Sequence, residues 1–242
     1  MNILLTGANG QVGWELARSL QPLGKVYALS RRECDLSFPD GVSKIVDSIN
    51  PSIIVNAAAY TAVDKAESER DLAHLINAES VGRLGELAKK HNALLVHFST
   101  DYVFDGSASG EYKEEHPTSP LSVYGQTKLR GEESIKSSGC KHLIFRTSWV
   151  FSARGNNFLR TILRLSSHKK SLRIIQDQTG SPTWARSIAD CTAQVISMVR
   201  KDEGVGLFGV YNLVSGGSGS WCDFAKEIIK QAKDQGVLSS SL

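Results

Sequence analysis

Three glycines at the end of the first apolar run constrain this chain more than any other feature. Gly7-Ala8-Asn9-Gly10-Gln11-Val12-Gly13 stands between Asn2–Thr6, which reads as a buried strand, and Gln11–Gln21, which reads as an amphipathic helix. The physical reading assigns each glycine a task. Gly7 permits a tight turn, Gly10 lets backbone approach a pyrophosphate, and Gly13 lets the helix lie close on the sheet. The helix N-terminus offers N–H groups and partial positive charge to an anion. A glycine triplet alone is only a turn; a strand before it and a helix after it make it a dinucleotide-binding loop.

The rest of the chain repeats the strand–helix alternation. Strands are expected at 25–29, 52–55, 94–98 and 142–146, and helices at 39–49, 69–91 and 122–137. Continuously apolar strands alternating with helices predict a parallel sheet covered on both faces, joined by right-handed crossovers. The fold class is α/β, a Rossmann-type doubly wound sheet. After Trp149 the pattern loosens: helices at 157–167, 188–199 and 221–233, strands at 171–175 and 210–214, and a Ser/Gly loop at 215–220 with Ser220 as a helix cap. We expect a nucleotide-binding domain over 1–150, with parts of 176–200 packing back on it. A smaller substrate-binding portion is expected over 151–242, incomplete at its C-terminus. The final Val237–Leu242 segment reads equally as a frayed end or a truncation.

Strand two ends at Leu29-Ser30-Arg31-Arg32. NAD sites place an acid here for the ribose 2′-hydroxyl, whereas NADP sites place Ser or Arg for the 2′-phosphate. Ser30 and Arg31 therefore favour NADPH over NADH, with Glu33 close enough to blur the distinction. Asp35 could accept from an adenine amino group or cap the next turn.

Tyr124-Gly125-Gln126-Thr127-Lys128 puts a phenol and an ammonium at i and i+4 on one helix face. A free tyrosine, with a pKa near ~10, is a poor acid–base group at neutral pH, and an adjacent cation would lower it. Thr100 follows the fourth strand, at the end that faces the ligand crevice of such sheets. A Thr/Tyr/Lys set on a glycine-loop domain points to carbonyl reduction with proton transfer.

Composition excludes other classes. A net charge of +3, from 28 basic and 25 acidic residues, is not a nucleic-acid footprint, and no apolar run is long enough to span a bilayer. The start carries no signal-type segment and reads as cytoplasmic. Cys34, Cys140, Cys191 and Cys222 are scattered and read as reduced thiols, and the six histidines form no H-x-x-x-H pair, so no metal site is expected.

Several blocks carry a resemblance over Met1 to about Lys230: 7–14 (GANGQVGW), 55–67 (VNAAAYTAVDKAE), 99–104 (STDYVF), 120–128 (PLSVYGQTK), 146–150 (RTSWV), 155–158 (GNNF) and 177–183 (DQTGSPT). The chain resembles the extended short-chain dehydrogenases/reductases and, within them, the dTDP-4-dehydrorhamnose reductases. The resemblance implies reduction of the C4 keto group of dTDP-4-dehydro-L-rhamnose by NADPH, in the synthesis of dTDP-rhamnose for cell-surface polysaccharide such as O-antigen. It implies that Gly10, Gln11 and Val12 bind the pyrophosphate and that Ser30 and Arg31 meet the adenosine ribose or its phosphate. Asp35 and Leu36 would line the adenine, and Ala59, Tyr60 and Thr61 the remaining cofactor path. Tyr124 would be the proton donor, with Lys128 tuning it and holding the nicotinamide ribose. Thr100, Asp101, Tyr102 and Trp149 would contact the sugar. Asn56 and Asp64 would be positioning residues, although Asp64, Lys65 and Glu67 equally suit a solvated loop.

Members of that family continue past this chain's end. Their C-terminal segment helps hold the nucleotide, and in some it supports a magnesium-linked homodimer. The Arg-Pro segment expected there is absent here, and no ligand set for magnesium is visible. Two rival readings share the motifs: another nucleotide-sugar reductase or epimerase, and a non-catalytic NADP-binding subunit like the regulatory subunit of methionine adenosyltransferase. The complete Thr/Tyr/Lys set argues against the second.

Overall fold

The protein, seen in a computed structural model, is described over residues 1–201 and 206–238. Its frame is a six-stranded, all-parallel sheet in the order β2-β1-β3-β4-β5-β9. The strands are β1 (Asn2–Thr6), β2 (Lys25–Leu29), β3 (Ile53–Asn56), β4 (Leu94–Thr100), β5 (Lys141–Thr147) and β9 (Gly209–Asn212). The strand order reverses at β1, and the crevice at the strands' C-terminal ends opens there. Helices α1 (Gln11–Ser19) and α8 (Ala185–Lys201) cover one face. The other carries α2 (Pro39–Ile49), α5 (Ser80–Lys90) and α6 (Val123–Ser138).

Strand alternation sorts the core. Leu4, Ile54, Leu95 and Ile144 point to one face, where Val46, Leu84 and Ile135 meet them. Ile3, Leu5, Val55, Val96 and Leu143 point to the other, against Leu16, Leu20, Ala189 and Ile196. Burying each large side chain contributes about 1.5–3 kcal/mol. A separate cluster of Ile162, Ala225 and Ile228 joins α7 (Phe158–Ser166) to α9 (Trp221–Asp234). Four two-residue strands complete the chain order there, in two pairings: β6 (Val150–Phe151) pairs with β8 (Thr183–Trp184), and β7 (Thr179–Gly180) with β10 (Gly219–Ser220).

Most expected elements stand within two residues of their predicted ends, with three differences. The helix expected over 69–91 is instead α4 (Arg70–His74), a π turn at Leu75–Glu79, and α5. The short helix α3 (Val63–Ala66) precedes it. The strand expected at 171–175 does not form. Leu172 and Ile174 do turn inward onto the α7–α9 cluster, but no ladder partner runs beside them, and alternation without a partner is not a strand. Ser220 caps α9 as expected, in a reciprocal capping box with Asp223. Of the terminal segment, residues 239–242 lie outside the described residues. No helix among those described is long and apolar enough to cross a membrane.

Candidate active site

A cleft of about 640 Å3 opens along the C-terminal ends of β1, β3, β4 and β5. At its head lies the glycine loop. Gly7 adopts φ +71°, and a Cβ on it would stand 2.6 Å from the Ala58 nitrogen; a Cβ on Gly13 would stand 2.1 Å from the Gly7 oxygen. Both positions exclude side chains for the reasons expected. Gly10 is the N-cap of α1, with no side-chain cap and no acid in the first turn. The helix thus offers its first N–H groups and its dipole to an anion without a competing carboxylate.

The Gln11 side chain has a different task. Its amide reaches the Val150 carbonyl at 3.3 Å and accepts from Ser152 at 3.0 Å and Asn157 at 2.8 Å. Arg154 stacks over Trp14 at 3.7 Å. The glycine loop and the segment after β6 are therefore fastened together through the Gln11 side chain.

The end of β2 is held by local hydrogen bonds and one ion pair. The Glu33 carboxylate folds back to accept from both the Ser30 nitrogen and hydroxyl at 2.8 Å. These bonds hold its carboxyl below the usual range. Arg31, with 72% of its side chain exposed, pairs with Asp35 at 3.2 Å. Asp35 also accepts from the Ser37 nitrogen and hydroxyl at 2.9 Å, so it caps a turn. Ser30 and Arg31 thus each bind a carboxylate three or four residues on, Arg31 through a largely exposed pair.

Along the cleft wall, the Tyr60 backbone is clamped by Asn77, whose side chain accepts from the Tyr60 nitrogen at 2.9 Å and donates to its carbonyl at 3.1 Å. Asn77 also donates to Thr127 at 3.2 Å, tying the wall to α6. It sits in the π turn, and motif reading did not single it out. Glu67 proves to be structural: it accepts from the Val123 nitrogen at 2.8 Å, beside the Ser122 cap at the start of α6.

Thr100, Asp101, Tyr102, Tyr124, Lys128 and Trp149 all line the same cleft. Thr100 donates to Asp101 at 3.0 Å and accepts from the Tyr102 nitrogen at 3.2 Å. Burial pushes the Asp101 carboxyl up to about 6. The Tyr102 ring meets the Tyr124 ring edge-on at 5.6 Å. Burial, with help from Asp101 and Tyr102, pushes the Tyr124 phenol up to about 12, against a lowering hydrogen bond from Thr100. The Lys128 amine is engaged on the other side: it donates to the Phe98 carbonyl at 2.6 Å and touches His97 Nε2 at 3.2 Å. Burial lowers it to about 8.

Trp149 carries a left-handed backbone, φ +43°. Its ring stacks on Trp221 at 3.6 Å and 9°, and a Cβ on Gly180 would meet that ring at 2.5 Å. The tryptophan is clamped from both sides at the far end of the cleft. Among the described residues, no three His, Cys, Asp or Glu side chains gather to hold a metal ion.

Comparison with known proteins agrees with this geometry. The family model described as "RmlD substrate binding domain" matches residues 1–240. The dTDP-4-dehydrorhamnose reductase of Burkholderia thailandensis is 52% identical, over 95% of this chain and 78% of that protein. Its counterpart in Salmonella typhimurium is 49% identical, over 98% of this chain and 80% of that protein. Among solved structures, dTDP-4-dehydrorhamnose reductase from Bacillus anthracis in complex with NADP superposes with a TM-score of 0.89 at 37% identity, covering 96% of this chain and 81% of that one.

Proposed function

Since the chain belongs to the dTDP-4-dehydrorhamnose reductases, we infer that its cleft takes NADPH and dTDP-4-dehydro-L-rhamnose, and that Tyr124 delivers the proton. The activity is NADPH-dependent reduction of the C4 keto group, giving dTDP-L-rhamnose. One observation supports the residue roles above all: the uncapped start of α1 and the Thr100/Tyr124/Lys128 set line a single cleft. Bound NADPH supplies the hydride at C4.

The chain's own groups do the rest. The backbone at Gly10, Gln11 and Val12 would hold the pyrophosphate, and Lys128 the nicotinamide ribose. Arg31 is close enough to the adenosine end to exchange its Asp35 partner for a 2′-phosphate. A phenol held near 12 keeps its proton at neutral pH, which is the form a reductase needs, because the developing alkoxide is then protonated by Tyr124. Thr100 would hydrogen-bond the same oxygen. Asp101, Tyr102 and the clamped Trp149 would orient the sugar, and alignment supplies much of the acceleration. The small α7–α9 cluster would carry the sugar side, while α8 and β9 join the nucleotide domain. The same reading places the protein in the cytoplasm, where both substrates are made, and cell fractionation tests it. Light scattering tests the homodimer that the resemblance implies.

The deciding experiment follows NADPH oxidation with and without dTDP-4-dehydro-L-rhamnose, with Tyr124→Phe beside the parent. Substrate-dependent oxidation that drops by about 10²–10⁴ in the variant is expected. Saturable NADPH binding without oxidation by the parent chain would refute the reading.

A further inference from the structure

Beneath the cleft a line of polar side chains crosses three strands and ends on α6: Thr6, Asn56, His97 and Lys128. Each is at most 1% exposed. Parallel register sets Thr6 opposite Asn56 and Asn56 opposite His97. Burial on this scale makes every hydrogen-bond assignment consequential.

The line has a direction. The Ala58 N–H donates to Asn56 Oδ1 at 3.2 Å, and Thr6 Oγ1 donates to the same oxygen at 2.6 Å. A backbone N–H cannot accept, so this end of the amide is oxygen. The other end, 3.0 Å from His97 Nδ1, is the NH2 group. Nδ1 therefore accepts, and a neutral imidazole then carries its proton on Nε2. That nitrogen lies 3.2 Å from Lys128 Nζ. An ammonium has no lone pair to receive Nε2–H, whereas a neutral amine has one. The amine's own protons still serve the Phe98 carbonyl at 2.6 Å.

We propose that His97, held in its Nε2–H tautomer by Asn56, is a positioning residue that donates to Lys128 Nζ and weakens this lysine's hold on its proton until the nicotinamide cofactor is bound. The proposal deepens the function inferred above and rests on it only for the cofactor's arrival. The surrounding charges agree. Burial holds the imidazole well below its usual range, and a charged Lys128 lowers it further, so it takes no second proton. Glu132, the carboxylate that favours a charged Lys128, is already bound by Arg146 through both oxygens. The other titratable groups nearby are Tyr124 on α6 and Asp101 and Tyr102 after β4; β1 and β3 present only Thr6 and Asn56. When Nζ carries its third proton it must release His97, which frees three donors for the carbonyl and, once the cofactor is bound, the ribose hydroxyls.

The test is ¹⁵N NMR of the histidine rings and lysine Nζ groups in the cofactor-free protein, with Lys128→Met to identify the Lys128 signal. We expect His97 in the Nε2–H form throughout the neutral range and Lys128 titrating near about 8. Asn56→Asp places a carboxylate oxygen against Nδ1, draws the ring proton there and turns Nε2 into an acceptor. The Lys128 midpoint should then rise by about one pH unit, a tenfold gain in proton affinity. An Nδ1–H tautomer in the parent protein overturns the proposal even where Asn56→Asp does not fold. An unmoved Lys128 midpoint in folded Asn56→Asp overturns it too. Calorimetric titration with NADPH reads the parent inference separately: no saturable heat would refute cofactor binding, and neither NMR reading depends on it.

Discussion

Glu132→Gln removes one negative charge from the most buried ion pair in the protein. Glu132 on α6 is 0% exposed and Arg146 on β5 is 4% exposed. The guanidinium grips both carboxylate oxygens, Nη2 at 2.7 Å and Nε at 3.0 Å, and Ser99 donates to one of them at 2.6 Å. Gln keeps the shape but presents an NH2 group where an acceptor is needed, and it leaves Arg146 as an uncompensated buried cation. Breaking such a pair from one side costs about 3–5 kcal/mol. For a chain of this size each kcal/mol moves the melting temperature by about 2–4 °C, so a fall of about 6–20 °C is expected. Urea unfolding followed by tryptophan fluorescence measures the same loss at constant temperature. The asymmetry is the sharper test. Replacing both partners, Glu132→Met with Arg146→Met, leaves no stranded charge and should cost less than the single change. A single-variant loss below about 1 kcal/mol, or a double variant less stable than the single, would refute the argument from a stranded buried charge.

Other expectations follow from the same geometry. Gly13→Ala forces a methyl onto the Gly7 carbonyl, so saturable NADPH binding should be lost before the fold is, as judged by calorimetry and circular dichroism on one sample. Glu33→Gln removes the charge now held at the end of β2, where a 2′-phosphate would arrive; the ratio of kcat/KM for NADPH over NADH should rise several-fold, and an unchanged ratio would show that Glu33 is not felt there. Asp101→Asn should stabilise the protein at neutral pH by about 1–3 kcal/mol. The folded carboxyl titrates near about 6 rather than 3.8, so its favourable contribution is complete below pH 3.8 and lost as pH rises through 6. The gain on mutation should therefore vanish on acidification toward pH 3.8, and a gain that persists there would contradict burial as its cause.

Local features were legible in the sequence and remote ones were not. The glycine loop could be read because turn, approach and packing all lie within seven residues. The Tyr124/Lys128 face could be read because helical spacing is local. What Lys128 touches could not, since His97 and Phe98 reach it through the register of β4 against α6, some thirty residues away. At Ser30 and Arg31 residue type was legible but the present partners were not: both hold carboxylates at i+3 and i+4. The segment at 171–175 has a strand's alternation without a strand's neighbour. Asn77 left only an indirect trace, a five-residue step from Ile76 to Val81 where a helix would set three or four.

That step has a consequence for how this protein can vary. A π turn holds one residue more than the α-helix around it, so removing any residue between Leu75 and Glu79 would leave a regular helix with complete hydrogen bonding. Downstream residues would keep their faces, because the five residues of the wide turn cover roughly the arc that four cover in an α-helix. Leu84, Leu87 and Ala88 would stay on the sheet, and the local geometry that sets Asn77 against the Tyr60 backbone would be lost. The extra residue therefore serves the cleft wall rather than the core behind it. In descendants of this chain, a one-residue deletion there should leave the fold standing and set the Tyr60 backbone loose.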